Sequence, residues 1–81
     1  MKLALIQQPA SHDRQANLEV GISAARLAAE NGADLICFAE LAFDRFYPQQ
    51  QATLAELALA VPIPGPSTDP FCDIARQHQC V

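Results

Sequence analysis

The chain has 81 residues, five basic and nine acidic, and a net charge of −4 at pH 7. Its basic residues are scattered, whereas a nucleic-acid site needs clustered positive charge, so nucleic-acid binding is not expected. The longest apolar runs are too short to cross a bilayer, and the opening residues lack the pattern of a signal peptide. Three widely spaced cysteines do not suggest a disulfide framework, which favours a reduced, cytoplasmic setting.

The first half of the chain has the pattern of a strand–helix–strand unit. The apolar run Leu3–Ile6 predicts a strand buried on both faces, as parallel strands usually are. A helix is predicted over about residues 14–31, with Asp13 as its N-cap and Gly32 just past its end. The run Leu35–Phe38 predicts a second buried strand. Strands joined in this way lie parallel in one sheet.

Beyond the second strand the pattern is less regular. The aromatic residues within 43–47 are more typical of a binding loop than of a simple turn. Residues 53–60 fit a short helix with Leu54, Leu57 and Ala58 turned inward, although the alternation of apolar residues also fits a strand. Both alternatives stay open at this point.

The last third of the chain predicts a rigid turn followed by a helix. Residues 62–66 contain three prolines and a glycine, and residues 67–70 supply a hydroxyl cap, an acid and a proline for a helix start. One face of that helix carries Phe71, Ile74, Ala75 and His78. After this helix the chain becomes apolar again at residues 79–81, where a third strand is expected to begin.

One acid has a suggestive position. Glu40 follows the second predicted strand within two residues. Catalytic and ligand-binding residues tend to lie just past the carboxyl ends of parallel strands. Glu40 is therefore a candidate general base, and its apolar neighbours Phe38, Leu41 and Phe43 are expected to desolvate it. The competing interpretation is a solvated acid in a loop.

Other polar residues near this edge have simpler interpretations. His12 is expected at the same sheet edge and either pairs with Glu40 or is a solvated loop residue. Asp44 and Arg45 are interpreted as adjacent surface charges. The loop after the first strand lacks the glycines that a dinucleotide or phosphate site needs, so no such cofactor is expected.

The positions of the cysteines do not predict a catalytic or metal-binding role for them. Cys37 lies in the middle of the second strand and is expected in the core. Cys72 and Cys80 flank His78, but their spacing matches no zinc pattern. No metal site is therefore predicted.

Four stretches occur in an order that resembles the nitrilase superfamily, the carbon–nitrogen hydrolases. They are residues 2–7, the motif Asp13-x-x-Ala16-Asn17-Leu18, residues 32–41, and Pro64-Gly65-Pro66-Ser67-Thr68. Ala39 stands where the family usually has proline. Residues 40–48 look most similar to the N-carbamoyl-amide hydrolase and amidase branches.

The resemblance implies an α/β fold, the amino-terminal part of a four-layer α-β-β-α sandwich with the order strand–helix–strand–loop–helix. Residues 1–81 would form the amino-terminal portion of a single carbon–nitrogen hydrolase domain, truncated before the third strand. The full-length protein would hydrolyse non-peptide linear carbon–nitrogen bonds in small amide, carbamoyl or nitrile substrates, without a cofactor. Family members assemble, so a homo-oligomer is expected.

The resemblance also implies a catalytic set of Glu, Lys and Cys, of which only the Glu has a counterpart here, at Glu40. Phe46 and Tyr47 would shape the substrate pocket, with core aromatics as the alternative. This fragment alone is expected to be inactive. A rival hypothesis is a non-catalytic fragment or binding module of α/β type, and the sequence beyond Val81 would separate the two. A flavodoxin-like domain is disfavoured, because no anion-binding loop follows a strand.

Overall fold

A computed structural model describes all 81 residues. Strand β1 (Leu3–Ile6) and strand β2 (Leu35–Phe38) form a parallel two-stranded sheet in which Leu3 lies opposite Leu35. Helix α1 (Arg14–Glu30) connects the two strands. Helix α2 (Asp69–His78) follows two short 3-10 helices. The predicted strand–helix–strand unit and the α/β class are therefore confirmed.

Local sequence signals set the ends of α1. Asp13 precedes the helix, and its Oδ1 accepts a hydrogen bond from the backbone amide of Ala16 at 3.1 Å. At the other end Gly32 has φ of +84°, a left-handed conformation that only glycine adopts without a steric cost. The predicted cap and stop are both confirmed.

The core lies between the two helices and one face of the sheet. Ala25 and Ala29 of α1 and Ile74 of α2 are buried together. Small residues on α1 let α2 approach closely. The predicted inward stripe of α1 is confirmed, because Leu18 is also buried and Ile22 packs against the cluster.

The expectation that the strands are buried on both faces is wrong. Leu3 and Leu5 are 54% and 74% exposed, and Cys37, expected in the core, is exposed as well. Along β1 exposed and half-buried residues alternate. The physical reason is that both helices lie on the same face, so nothing within these 81 residues covers the other one. This uncovered face is formed by Leu3, Leu5, Leu35 and Cys37.

The uncovered face predicts how the 81-residue chain behaves alone. An apolar sheet surface of this kind promotes association, so we expect it to aggregate and to bind the dye ANS. Size-exclusion chromatography and ANS fluorescence would measure both effects. Leu5→Lys should reduce them, whereas the control Leu54→Lys, a leucine exposed outside the sheet, should not. A monodisperse chain without ANS binding would contradict the prediction.

Residues Leu54–Leu59 form a 3-10 helix rather than a strand. The predicted inward orientation of Leu54 and Leu57 is wrong, since they are 85% and 73% exposed, and Ala58 is exposed as well. The element is stabilised at its start instead. Thr53 and Glu56 form a capping box, in which the Glu56 carboxylate accepts hydrogen bonds from the Thr53 hydroxyl at 2.8 Å and the Thr53 amide at 2.6 Å.

This capping box predicts a measurable titration. The Thr53 hydroxyl first, and the Thr53 amide next, hold the pKa of the Glu56 carboxyl below its ordinary value. The box therefore contributes fully to folding stability at pH values above the unfolded-state pKa of glutamate. That contribution is lost as the pH falls through the lowered pKa of Glu56. Thr53→Ala should move the NMR titration midpoint of Glu56 upward, while the control Ser23→Ala should leave it in place. An unchanged midpoint in Thr53→Ala would contradict this assignment.

Helix α2 has the predicted inward face but not the predicted cap. Ile74 is buried and Phe71, Ala75 and His78 are half-buried. Thr68 occupies the cap position, yet its hydroxyl binds the amide and carbonyl of Gly65 instead of the helix. Gly65, which competes with the helix for this hydroxyl, belongs to the tight turn of residues 62–66. The turn is so tight that a Cβ on Gly65 would lie 2.7 Å from the Pro62 carbonyl oxygen.

The chain returns to the sheet after α2. Val81 donates to the Asp34 carbonyl at 3.0 Å, and its own carbonyl accepts from the Ile36 amide at 2.8 Å. These are the hydrogen bonds of a parallel strand on the edge of β2 that β1 leaves free. Val81 therefore adds one strand-like pairing to β2 in a sheet that has two strands, and the predicted third strand stays a prediction. No helix in the structure combines the length and the apolar character needed to span a membrane.

Candidate active site

Glu40 lies two residues past β2, at the carboxyl end of the sheet. The expected desolvation is wrong, because Glu40 is exposed and its carboxylate makes no hydrogen bond or ion pair within the chain. The aromatic ring that was expected beside it, that of Phe38, faces the helices instead. Glu40 is thus a free carboxylate at the sheet edge.

The residue after Glu40 has an unusual backbone conformation. Leu41 has φ of +52°, one of two such non-glycine residues in the chain. A leucine in the left-handed region costs about 1–2 kcal/mol relative to its ordinary conformation. Its carbonyl accepts from the Asp44 amide at 3.2 Å, which closes a tight turn. Strained residues of this kind concentrate at functional sites, where surrounding contacts hold them in place.

Those surrounding contacts come from α1. We call residues 39–46 the Glu40 loop. Asn17, only 5% exposed, donates through Nδ2 to the Phe43 carbonyl at 3.0 Å and to the Ser11 carbonyl at 2.8 Å. Its Oδ1 accepts from the Ser11 amide at 2.9 Å and the Ser11 hydroxyl at 3.0 Å. One buried amide therefore joins the loop after β1 to the Glu40 loop.

A second contact is steric. Gly21 lies one turn further along α1, and a Cβ placed there would come within 2.4 Å of the Phe43 ring. That ring is packed against Phe38 and Phe71, with centroid separations of 5.4 Å in each case. Phe43, interpreted from sequence as part of a binding loop, also anchors that loop to the core.

A third contact is an ion pair. Arg14 Nε lies 3.2 Å from Asp44 Oδ1, and the Asp44 side chain is only 15% exposed. Arg14 also donates to the Leu59 carbonyl at 3.2 Å. The interpretation of Asp44 as a free surface charge is therefore wrong, since its partner lies 30 positions earlier in the chain.

A cavity of about 570 Å³ opens beside these contacts. Its lining includes Phe46 and Tyr47, both exposed, so the alternative that these two are core aromatics is wrong. His12 and Arg45 also line it, and the Arg45 guanidinium contacts His12 Nε2. The possible pair of His12 with Glu40 does not form, and Glu40 itself is not part of the lining.

The remaining reactive residues lie elsewhere. Lys2, the single lysine, is at the opposite end of the sheet, where its ammonium donates to the Asn31 carbonyl. Cys37 is on the uncovered face, Cys72 is exposed on α2, and Cys80 lines a separate apolar cavity of about 230 Å³. No three histidine, cysteine or acidic side chains converge on one point as metal ligands would.

The comparison with known families identifies the chain. The family model for carbon–nitrogen hydrolases matches residues 2–81. The chain belongs to the carbon–nitrogen hydrolase family. No curated protein and no solved structure matches it. For a carbon–nitrogen hydrolase, the strand–helix–strand–helix order is that of the amino-terminal part of the fold.

Sequence reasoning missed three residues that hold the Glu40 loop of this carbon–nitrogen hydrolase. Arg14, Asn17 and Gly21 are spaced by three and four positions, so they share one face of α1. The available signal was a polar residue and a glycine directly beside the apolar stripe that begins at Leu18. Their partners could not be named, because those partners are distant in sequence.

Proposed function

We propose that the full-length protein hydrolyses non-peptide linear carbon–nitrogen bonds through a Cys thioester intermediate, with Glu40 as general base. Family membership supports hydrolysis of carbon–nitrogen bonds in general. The observation that carries the specific role is the placement of Glu40. It is a free carboxylate at the carboxyl end of a parallel strand, on a strained loop held by α1.

The proposed reaction uses Glu40 for each of its proton transfers. Its carboxylate takes the proton of a Cys thiol, and the thiolate attacks the carbonyl or nitrile carbon. A Lys ammonium stabilises the negative charge that develops on the substrate. From a carbonyl substrate, ammonia or an amine leaves with the proton held by Glu40, whereas a nitrile first gives a thioimidate that must add water before ammonia can leave. In both cases a water molecule activated by the same carboxylate then cleaves the thioester, and its proton returns to the Cys thiolate.

The Lys and Cys of this reaction are proposed to lie outside these 81 residues. Lys2 occupies the wrong end of the sheet, and none of the three cysteines is hydrogen-bonded to Glu40. Glu40 has no partner within the chain, so its carboxylate is available to groups supplied by the rest of the protein. We therefore propose that the chain is the amino-terminal portion of a single catalytic domain, inactive alone.

The substrate is proposed to be a small amide, carbamoyl or nitrile compound, with Phe46 and Tyr47 shaping its pocket. Both rings line the cavity beside the Glu40 loop and are accessible to a ligand. The similarity of residues 40–48 to the N-carbamoyl-amide hydrolase and amidase branches favours a carbamoyl or amide group. We further propose a cytoplasmic homo-oligomer, with the uncovered sheet face packed inside the sandwich rather than between subunits.

The test is an ammonia-release assay on the full-length protein with linear amide, carbamoyl and nitrile compounds. We expect release from at least one class, and a covalent adduct with the mass of the acyl group on one cysteine after acid quenching. The peptide that carries the adduct should lie outside residues 1–81. A protein that binds such compounds without releasing ammonia would support the rival binding module instead.

A further inference from the structure

The turn between α1 and β2 contains an exposed asparagine followed by a glycine. Asn31 comes directly after the last residue of α1, and Gly32 has φ of +84°. Both residues are exposed. Because glycine has no side chain, nothing shields its backbone nitrogen from the asparagine side chain that precedes it. Asn17, the other asparagine of the chain, is buried and precedes a leucine. Asn31 alone therefore combines exposure with an unshielded neighbour.

This pair of residues permits a chemical conversion of the asparagine side chain. The Gly32 nitrogen gives up its proton to water and bonds to Asn31 Cγ, the bond from Cγ to Nδ2 breaks, and Nδ2 leaves as ammonia after taking a proton from water. The product is a cyclic imide. A water molecule then adds to either carbonyl of the ring and opens it, which gives aspartate or its β-linked isomer, isoaspartate. The conversion consumes one water and releases one ammonia, so it needs no oxidant, reductant or other reactant.

Two hydrogen bonds oppose this conversion in the folded chain. Asn31 Nδ2 donates to the Leu27 carbonyl at 2.8 Å, and the Gly32 amide donates to the Ala29 carbonyl at 3.0 Å. The first hydrogen bond holds the side chain back along α1, and the second engages the proton that the Gly32 nitrogen has to lose. Both must break before the nitrogen can reach Cγ. Because helix ends open locally at little cost, these contacts slow the conversion without preventing it.

Lys2 acts in the opposite direction. Its ammonium donates to the Asn31 carbonyl oxygen at 2.5 Å and forms no ion pair with a carboxylate. This carbonyl belongs to the same peptide group as the Gly32 nitrogen. When that nitrogen loses its proton, the negative charge spreads onto the carbonyl oxygen, where a nearby positive charge stabilises it. The backbone of Lys2 is itself fixed, because it donates to Asp34 Oδ2 at 2.6 Å and accepts from the Asp34 amide at 2.8 Å.

We propose that Asn31 is a site of spontaneous deamidation and that the Lys2 ammonium assists it by stabilising the deprotonated Gly32 nitrogen. This modification is independent of the proposed hydrolase function. Its product carries a new carboxylate at the C-terminal end of α1, where the helix dipole is already negative, and makes the net charge one unit more negative than −4. Isoaspartate also lengthens the backbone by one carbon in the turn that leads into β2. The conversion therefore alters both the charge and the geometry of this turn.

Peptide mapping measures the conversion. Full-length protein is incubated at mildly alkaline pH, sampled over days and digested with trypsin, which cleaves after Arg26 and Arg45. The peptide 27–45 contains Asn31 as its single asparagine and no glutamine, so a change from amide to acid in its mass reports Asn31 alone. The same peptide, incubated after release, is the unstructured reference. We expect the folded protein to convert about fivefold to a hundredfold more slowly than this peptide, as the loss of two hydrogen bonds predicts. Buried Asn17 should remain unconverted.

Variants of Lys2 test its role. Lys2→Met keeps the length of the side chain without its charge, and we expect it to deamidate about threefold to tenfold more slowly than the wild type, the range for an exposed contact with a charged donor. Lys2→Arg keeps the charge and should match the wild type. Arg76→Met, which removes an exposed charge on α2, is the matched control and should leave the rate unchanged.

The direction of the effect separates assistance from a structural role of Lys2. A turn that is merely loosened by Lys2→Met would convert faster, because the two opposing hydrogen bonds would break more easily. No conversion at Asn31 while the released peptide converts would overturn the site. An unchanged or faster rate in Lys2→Met would overturn the role of Lys2.

Discussion

Replacing Glu40 with glutamine is expected to reduce kcat of the full-length protein by about 10²–10⁴-fold, the usual contribution of a general acid–base residue. The upper part of that range is expected because Glu40 serves in thiol activation and again in thioester hydrolysis. Glutamine keeps the size and the hydrogen-bonding reach of the side chain but cannot take a proton. Ammonia release under saturating substrate is the measurement.

Stability should not change with this substitution. Glu40 is exposed and makes no hydrogen bond or ion pair within the chain, and such substitutions usually alter the free energy of unfolding by less than about 0.5 kcal/mol. Denaturant unfolding of the variant would verify this. Glu30→Gln, at an exposed acid on the last turn of α1, is the control and should leave kcat and stability unchanged. Full turnover in Glu40→Gln would remove Glu40 from the mechanism.

Local features of the fold were predictable because their causes lie within a few residues. Asp13 caps α1 through an amide three positions later, and Gly32 ends it through its own backbone conformation. The apolar stripe that begins at Leu18 follows from helical spacing alone. Each of these interactions is complete within one element, so the sequence contains all the information needed.

Features that depend on distant partners were not predictable in the same way. The strands looked buried on both faces, since apolar runs do not reveal how many layers of helix cover a sheet. Asp44 and Arg45 are neighbours in sequence, yet their partners are Arg14 and His12, about 30 positions away. A charge pattern cannot identify a partner that only the folded chain brings close.

The position of Glu40 was predictable, but its surroundings were not. A carboxylate directly after an apolar run suggested the sheet edge, and the structure places it there. The expected apolar surroundings are absent because Phe38 and Phe43 turn toward α1 and α2. What fixes the Glu40 loop is instead the face of α1 formed by Arg14, Asn17 and Gly21.

Among these three residues, Asn17 should have the largest effect on stability. Asn17→Ala removes four hydrogen bonds at a buried position and leaves the carbonyls of Phe43 and Ser11 without that partner. Buried polar groups that lose their partner cost about 1–3 kcal/mol each, so we expect the free energy of unfolding of the full-length protein to fall by about 2–4 kcal/mol. Chemical denaturation monitored by circular dichroism would measure it.

A matched control is available on the same helix. Asn31 follows the last turn of α1, is exposed, and donates a single side-chain hydrogen bond to the Leu27 carbonyl at 2.8 Å. Asn31→Ala should therefore cost less than about 1 kcal/mol, the usual net value of one such bond. If Asn17→Ala cost no more than Asn31→Ala, the buried amide would not be holding the two loops.

Asn17→Asp removes the hydrogen-bond donors of the side chain but keeps its volume, so it tests the hydrogen bonds without a loss of packing. The carboxylate has the same shape and still accepts from Ser11, but it cannot donate to the Phe43 carbonyl and places negative charge against it. We therefore expect Asn17→Asp to be at least as destabilising as Asn17→Ala at neutral pH, since a buried unpaired charge adds its own cost. Because the Phe43 contact fixes the loop that carries Glu40, kcat should fall in both variants even under conditions where each remains fully folded. Unchanged kcat in folded Asn17→Asp would mean that the catalytic edge does not depend on this contact.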